Sequence, residues 1–317
     1  MSGQTNPTSS IEQTFTRNQR ILVEFAVAEQ LRRLPGIELH PTLFNTPLVY
    51  GSVEEQAALA SVYLKYLETA NRAGLPILLT APTWRLDARR VAEAEGIPAL
   101  INTDAVDFVS NLVAESNTSG RTHVGALVGP KEDCYRPDLA PSAEEAAEFH
   151  APQIEELAAT DTVFLLAQTL PSVAEALGIA RAMAESSKPY LISFCTGPDG
   201  NVLDGTPLPE AMARIDEASS SARPPLGYFV NCTYPSFLTD RYPAGSLKRL
   251  IGIQANGSAK DVCALEAADA TEAEPVDIWA KEMVRLHATQ GVLALGGCCG
   301  TSAEHMRAIV RLWDEAG

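Results

Sequence analysis

Eight apolar runs of strand length, separated by segments with helical spacing, constrain this chain more than any other feature. The runs fall at residues 21–25, 77–80, 123–128, 162–167, 190–194, 226–230, 250–254 and 292–295. Most are apolar at successive positions, as in strands buried on both faces. The segments between them carry helix signals. Ala57, Leu59, Ala60, Tyr63, Leu64, Leu67 and Ala70 recur at helical spacing after Ser52, and Gly74 ends the pattern. Ser142 with Glu145, and Ser172 with Glu175, have the spacing of capping boxes. Further helical patterns cover about 87–95, 103–116, 208–219, 276–289 and 303–314. Strand and helix alternating in this way within 317 residues predict an α/β protein, a single (β/α)₈ TIM barrel. An open doubly wound sheet is the second choice. Residues 20–317 are assigned to the barrel. Residues 1–19 are assigned to a polar N-terminal tail rich in Thr, Ser, Gln and Asn, either disordered or an arm reaching a neighbour.

Composition narrows the function classes. A net charge of −16 and a pI near 4.7 argue against nucleic-acid binding, which needs a basic face. No apolar run has the length of a membrane span, and the first twenty residues lack the apolar stretch of a signal peptide. A cytoplasmic location is expected. Six cysteines are too few for a disulfide scaffold, and in a reducing cytosol they remain thiols.

Two of those cysteines adjoin in Gly296-Gly297-Cys298-Cys299-Gly300-Thr301, just after the last strand. A third, Cys232, follows the sixth strand in Val230-Asn231-Cys232, 66 residues before Cys298. In a parallel barrel the C-terminal strand ends share one face, where active sites form. Three thiolates brought together there leave a fourth position open on a catalytic Zn2+. A substrate thiol at such a site loses its proton and becomes a nucleophile at neutral pH. Methyl transfer to sulfur suits that arrangement. Cys134, Cys195 and Cys263 are read as structural, although Cys195 also follows a strand. His40, His123, His150 and His287 are read as packing or surface residues. His305, one turn after the cysteine motif, is a weak candidate for supporting the metal ligands.

On these motifs the chain resembles the homocysteine S-methyltransferase family, with weaker matches at Leu226-Gly227-Tyr228 and Ile253-Gln254-Ala255-Asn256. The resemblance runs from about residue 21 to the C-terminus. It implies a (β/α)₈ barrel in which Cys232, Cys298 and Cys299 bind zinc and homocysteine is methylated to methionine. Donors in the family include betaine, S-methylmethionine, S-adenosylmethionine and methylfolate. Two departures stand out. Where the family has Asp-Gly-Gly-x-Gly-Thr after strand one, this chain has Glu24-Phe25-Ala26-Val27-Ala28-Glu29, and Phe25 adds bulk where a ligand is expected to approach. Where the family has Glu-Thr, an apolar residue and Pro after strand four, this chain has Gln168-Thr169-Leu170-Pro171. An amide replaces the carboxylate that pairs with the amino group of homocysteine, a loss of about 1.5–3 kcal/mol. Thr80-Ala81-Pro82-Thr83-Trp84-Arg85 marks the divergent branch, and Trp84 and Arg85 are candidate substrate contacts.

The reading is therefore a zinc-dependent S-methyltransferase, with a small-molecule thiol acceptor and a methyl donor as partners. Glu24, Asn231 and Gln168 contact the acceptor, and Asn231 alternatively bonds a thiolate. The rivals are a zinc-retaining barrel that acts on another thiol or serves as a binding or regulatory protein, and a redox protein with a Cys298–Cys299 disulfide, which geometry disfavours. The donor and the oligomeric state, including a possible homo-oligomer, stay open.

Overall fold

Eight parallel strands close on themselves in chain order. They are β1 (Ile21–Val23), β2 (Ile77–Ala81), β3 (Thr122–Val128), β4 (Phe164–Leu170), β5 (Tyr190–Cys195), β6 (Gly227–Thr233), β7 (Leu250–Ala255) and β8 (Ala294–Gly297). The ring is sealed where Ile21 pairs with Ala294 and Leu22 with Leu295. The predicted barrel is thus found, and the open sheet is excluded. The computed structural model describes residues 10–116, 118, 120–261 and 273–315, so Cys263 lies outside the described residues.

Side chains alternate across each strand. Ile21, Val23, Leu78, Leu127, Leu166 and Leu191 fill the barrel interior with the rings of Phe164 and Phe229. Each ring faces a glycine on the neighbouring strand, Gly125 beside Phe164 and Gly252 beside Phe229. A Cβ at either glycine would overlap the ring, so large and small residues are matched across the barrel. The outward positions, among them Leu22, Leu79 and Val230, pack under the helices. The longest of these is α3 (Val53–Ala73), which begins in a capping box of Ser52 with Glu55 and ends at Gly74 with φ of 66°.

Helix α1 (Ile11–Arg17) lies within the segment read as a polar tail. Ser10 caps it, accepting from the Gln13 N–H at 3.3 Å. Ile11 joins the interior cluster, and Thr14 Oγ1 stands 2.7 Å from His123 Nε2. Ile11, Thr14 and Phe15 suffice for this plug, too few apolar groups to make a periodic signal. The short helix α2 (Ala28–Arg32) follows β1. Among the described residues the remaining α-helices are α4 (Ala88–Glu93), α5 (Ile101–Glu115), α6 (Ala143–Ala158), α7 (Val173–Glu185), α8 (Leu208–Ala218), α9 (Pro235–Thr239), α10 (Val276–Gln290) and α11 (Ala303–Glu315). Among the described residues no helix is long and apolar enough to cross a membrane.

β4, β6 and β8 run further toward their C-terminal ends than the apolar runs suggest, because Gln168, Asn231 and Gly296-Gly297 continue the ladders. Two of these extensions are irregular. The register slips between Ala167 and Leu170 on β4 and between Asn231 and Thr233 on β6. At those points Thr169 and Cys232 adopt φ of 64° and 50°. Non-glycine residues rarely take such angles, and bulges of this kind re-aim side chains beside sites.

Candidate active site

The bulge in β6 places Cys232 at the C-terminal mouth, next to the loop leaving β8. There Cys232 Sγ stands 3.2 Å from Cys298 Sγ, and Cys298 Sγ stands 4.0 Å from Cys299 Sγ. Cys232 is buried, Cys298 half-buried and Cys299 exposed. The cysteine loop is tied down on both sides. Thr301 Oγ1 donates to Cys298 O at 2.6 Å, the Cys298 N–H donates to Ala255 O at 2.7 Å, and Glu29 accepts from the Gly300 N–H. Gly297 has no room for a Cβ, which would strike Thr301 and the ring of Phe25.

All three thiols are shifted toward the protonated form by their crowded, buried surroundings. Hydrogen bonding with Cys195 and burial raise the Cys232 pKa well above its ordinary value. Contact with Cys232 and burial do the same for Cys298. Like charges packed so closely oppose joint ionisation, and a bound cation reverses that balance. Among the described residues, no group of three or more His, Cys, Asp or Glu side chains is set out as a ready-made metal cage. The donors nevertheless match zinc in kind, three soft sulfurs converging from two strand ends. A tetrahedral zinc–thiolate set has sulfurs roughly 3.8 Å apart. The Cys232–Cys298 gap of 3.2 Å must therefore widen slightly to admit the ion.

All three cysteines line one cavity of about 880 Å³, together with Glu24, Gln168, Trp84 and Arg85. Glu24 is 5% exposed, and its two oxygens accept from the Thr80 N–H at 2.7 Å and from the Thr80 hydroxyl. Burial pushes its carboxyl up to about 8, against the opposing pull of those two hydrogen bonds. Gln168 Nε2 donates to Gln254 Oε1 at 2.6 Å, and Gln254 Nε2 donates in turn to Glu24 O at 3.3 Å. Phe25 lines the cavity as expected, and its ring packs against Tyr66 and Trp279, with each ring pair 5.9 Å apart.

Asn231 is 1% exposed and does not line the cavity, so of its two expected roles the structure gives the thiolate contact. Its Nδ2 donates to Cys232 Sγ at 3.3 Å and to Thr169 Oγ1 at 2.7 Å. Its Oδ1 accepts from the Thr169 N–H at 3.0 Å and from Ser193 Oγ at 2.6 Å.

Several site residues escaped the sequence reading. Tyr135 donates its hydroxyl to Cys232 Sγ at 3.5 Å, and Cys134 beside it is buried and lines the cavity. Nothing in the sequence flags that loop. Gln254 had a signal, a polar residue closing an apolar strand. Cys195 lies behind Cys232, fully buried. None of the five histidines lines the cavity. His305 instead caps the start of α11, its Nδ1 accepting from the Ser302 N–H at 3.3 Å.

Fold and site together define a TIM-barrel protein with a thiol cluster at the catalytic mouth. The homocysteine S-methyltransferase family model matches residues 21–313, and the chain belongs to that family. Membership places it among methyltransferases that act on small-molecule thiol acceptors and methyl donors. Homocysteine S-methyltransferase YbgG of Bacillus subtilis (strain 168) is 26% identical over 320 residues, covering 96% of each chain. Betaine–homocysteine S-methyltransferase 1 of Mus musculus is 29% identical over 281 residues, which span 81% of this chain and 64% of the mouse protein. The metallated form of the homocysteine methyltransferase MmuM from Escherichia coli superposes with a TM-score of 0.72 at 20% identity, covering 94% of this chain and 97% of MmuM. That likeness supports the fold.

Proposed function

We propose that the protein is a zinc-dependent S-methyltransferase that methylates a small thiol, with homocysteine as acceptor and methionine as product. One observation carries the reading: Cys232, Cys298 and Cys299 converge from β6 and β8 on a cavity large enough for two small substrates. Those three cysteines would hold the zinc. When bound, the ion lowers the pKa of an acceptor thiol so that the thiolate is available at neutral pH.

The chain's own residues do the rest. Asn231 and the bulge in β6 fix the Cys232 sulfur. Glu24, Gln168 and Gln254 line the acceptor side and orient it by hydrogen bonds. The acceptor sulfur attacks the methyl carbon of the donor. The new S–C bond forms as the donor's bond to that carbon breaks and its electron pair stays with the donor.

A second reading, the barrel acting on a different thiol or serving as a binding protein, has one observation in its favour. Glu24 and Gln168 are already engaged by Thr80 and Gln254, rather than presented as free groups for an ammonium. Metal analysis of freshly purified protein, beside Cys232→Ser and Cys298→Ser, tests the first reading. About one zinc per chain, lost in the variants together with methyl transfer to homocysteine, supports it. Wild-type transfer that persists in metal-free variants rejects it. Zinc without transfer to homocysteine favours the second: transfer to another thiol gives its first form, and transfer to none gives its second.

A further inference from the structure

Arg85 lies in the cavity wall and pairs with no carboxylate among the described residues. Its guanidinium lies 4.4 Å from the Trp84 ring centre and 5.3 Å from that of Phe44. The platform beneath it is rigid. The two rings stack 5.8 Å apart, Trp84 Nε1 donates to Gln168 O at 3.0 Å, and the absence of a side chain at Gly129 makes room for Trp84. Yet among the described residues Arg85 makes one hydrogen bond, a long one of 3.4 Å from Nη1 to Glu132 O, and its buried Nε has no partner there. Of the acidic groups around it, Asp87 takes Arg90 and Glu132 takes Arg89 at 3.1 Å, while Asp133 accepts from the Tyr135 N–H at 2.8 Å and forms no ion pair with Arg85 among the described residues. Burial and the like charge of Arg90 pull the Arg85 pKa down, against the weaker opposing pull of Asp133 and Asp87. Asn45, 7% exposed and next to Phe44 in the chain, brings a second unpartnered donor, Nδ2, to the same cavity lining.

A planar guanidinium on an aromatic platform, with most of its five N–H donors unused, matches a carboxylate by fork geometry. We propose that Arg85 anchors a carboxylate of the small-molecule substrate, and that this barrel selects substrates bearing one. The inference rests on the transferase reading for the identity of the pocket. The carboxylate belongs either to the thiol acceptor or to the methyl donor.

The test is calorimetric titration of metal-loaded protein, wild type, R85Q and R85K, with three probes. 4-Mercaptobutyrate carries thiol and carboxylate, 3-mercaptopropylamine carries thiol without carboxylate, and glycine betaine carries carboxylate and a methyl donor without thiol. R85Q is expected to weaken at least one carboxylate probe by about tenfold or more. R85K falls between, since an ammonium keeps the charge and loses the fork. 3-Mercaptopropylamine is expected to bind all three proteins within about twofold, which also shows that the variants are folded. Loss confined to 4-mercaptobutyrate assigns the carboxylate to the acceptor, and loss confined to betaine assigns it to the donor. Equal binding of every carboxylate probe by wild type and R85Q overturns the proposal, as does a wild type that binds no carboxylate probe. The transferase reading fails separately, by binding without methyl transfer.

Discussion

Asn231 donates to the sulfur of Cys232 at 3.3 Å while the rest of its carboxamide is bound to β4 and β5. It therefore couples the two bulged residues at the mouth, Thr169 and Cys232, both held at positive φ. Strained backbone of this kind persists only where its surroundings fix it. Asn231 supplies that fixing, since three of its four hydrogen bonds are made to Thr169 and Cys232.

Asn231→Ala is accordingly expected to act twice. It leaves the buried Thr169 N–H without its acceptor, a cost of about 1–3 kcal/mol that urea unfolding reads as a lower midpoint. It also frees the Cys232 sulfur, so zinc affinity falls about ten- to a hundredfold, the usual penalty for removing a group that orients a metal ligand. Competition with a metal indicator measures the second effect. A variant that unfolds earlier and keeps wild-type zinc affinity would reduce Asn231 to a structural role.

Gly297→Ala tests how tightly the cysteine loop is packed. The new methyl meets Thr301 Oγ1 and the ring of Phe25, and Thr301 Oγ1 also holds Cys298 O at 2.6 Å. Overpacking of this order destabilises by about 1–3 kcal/mol. Zinc affinity is expected to fall along with stability, because relieving the overlap displaces the residue that pins the loop. Unchanged thermal stability and metal content would mean that the loop yields freely.

These couplings mark where the sequence stops being informative. The barrel was legible because most of the eight strands are apolar on both faces and several of the helices between them carry ordinary caps. The metal-ligand candidates were legible because adjacent cysteines among glycines at a strand end have few other uses. The bulges were not, since Thr169 and Cys232 are not glycines and nothing local announces a positive φ. Tyr135 was illegible as a site partner for another reason: its role arises from loops after different strands meeting over one cavity. Arg85 was flagged as a candidate substrate contact, but its aromatic platform with Phe44 depends on a residue 41 positions away. Asn231 was flagged by its place beside Cys232. Its saturation by Thr169 and Ser193 depends on neighbours 62 and 38 residues away.

Gln168→Glu asks whether the acceptor side has been rewritten. The amide lies in the cavity wall, bonded to Gln254 Oε1 at 2.6 Å. A carboxylate there can accept from the Gln254 amide after that group flips, and it adds a charge for an ammonium. Charge-assisted bonds exceed neutral ones by about 1–1.5 kcal/mol, so the variant is expected to lower the KM for homocysteine roughly tenfold with little change in kcat. KM for a thiol without an amino group should not improve. An equal gain for both acceptors would show that the charge acts on the sulfur instead.

Glu24 gives the native state a pH dependence whose sign is fixed by burial. Its carboxyl is pushed up from 4.5 to about 8 in the folded protein, so the native state keeps a proton that the unfolded chain has released. This contribution is fully present below pH 4.5 and is lost as the pH rises to about 8. Across that window stability falls with increasing pH, by up to about 1.4 kcal/mol per pH unit from this one group. Glu24→Gln removes the titration and retains an oxygen to accept from Thr80. Urea midpoints of wild type and variant at pH 5, 6, 7 and 8 isolate the effect, because the cysteines and every other group are common to both. The wild type is expected to lose ground to the variant steadily from pH 5 to pH 8 and to level off beyond. A constant difference across the series would mean that Glu24 is ionised in the native protein, with Thr80's two hydrogen bonds outweighing the burial that surrounds it.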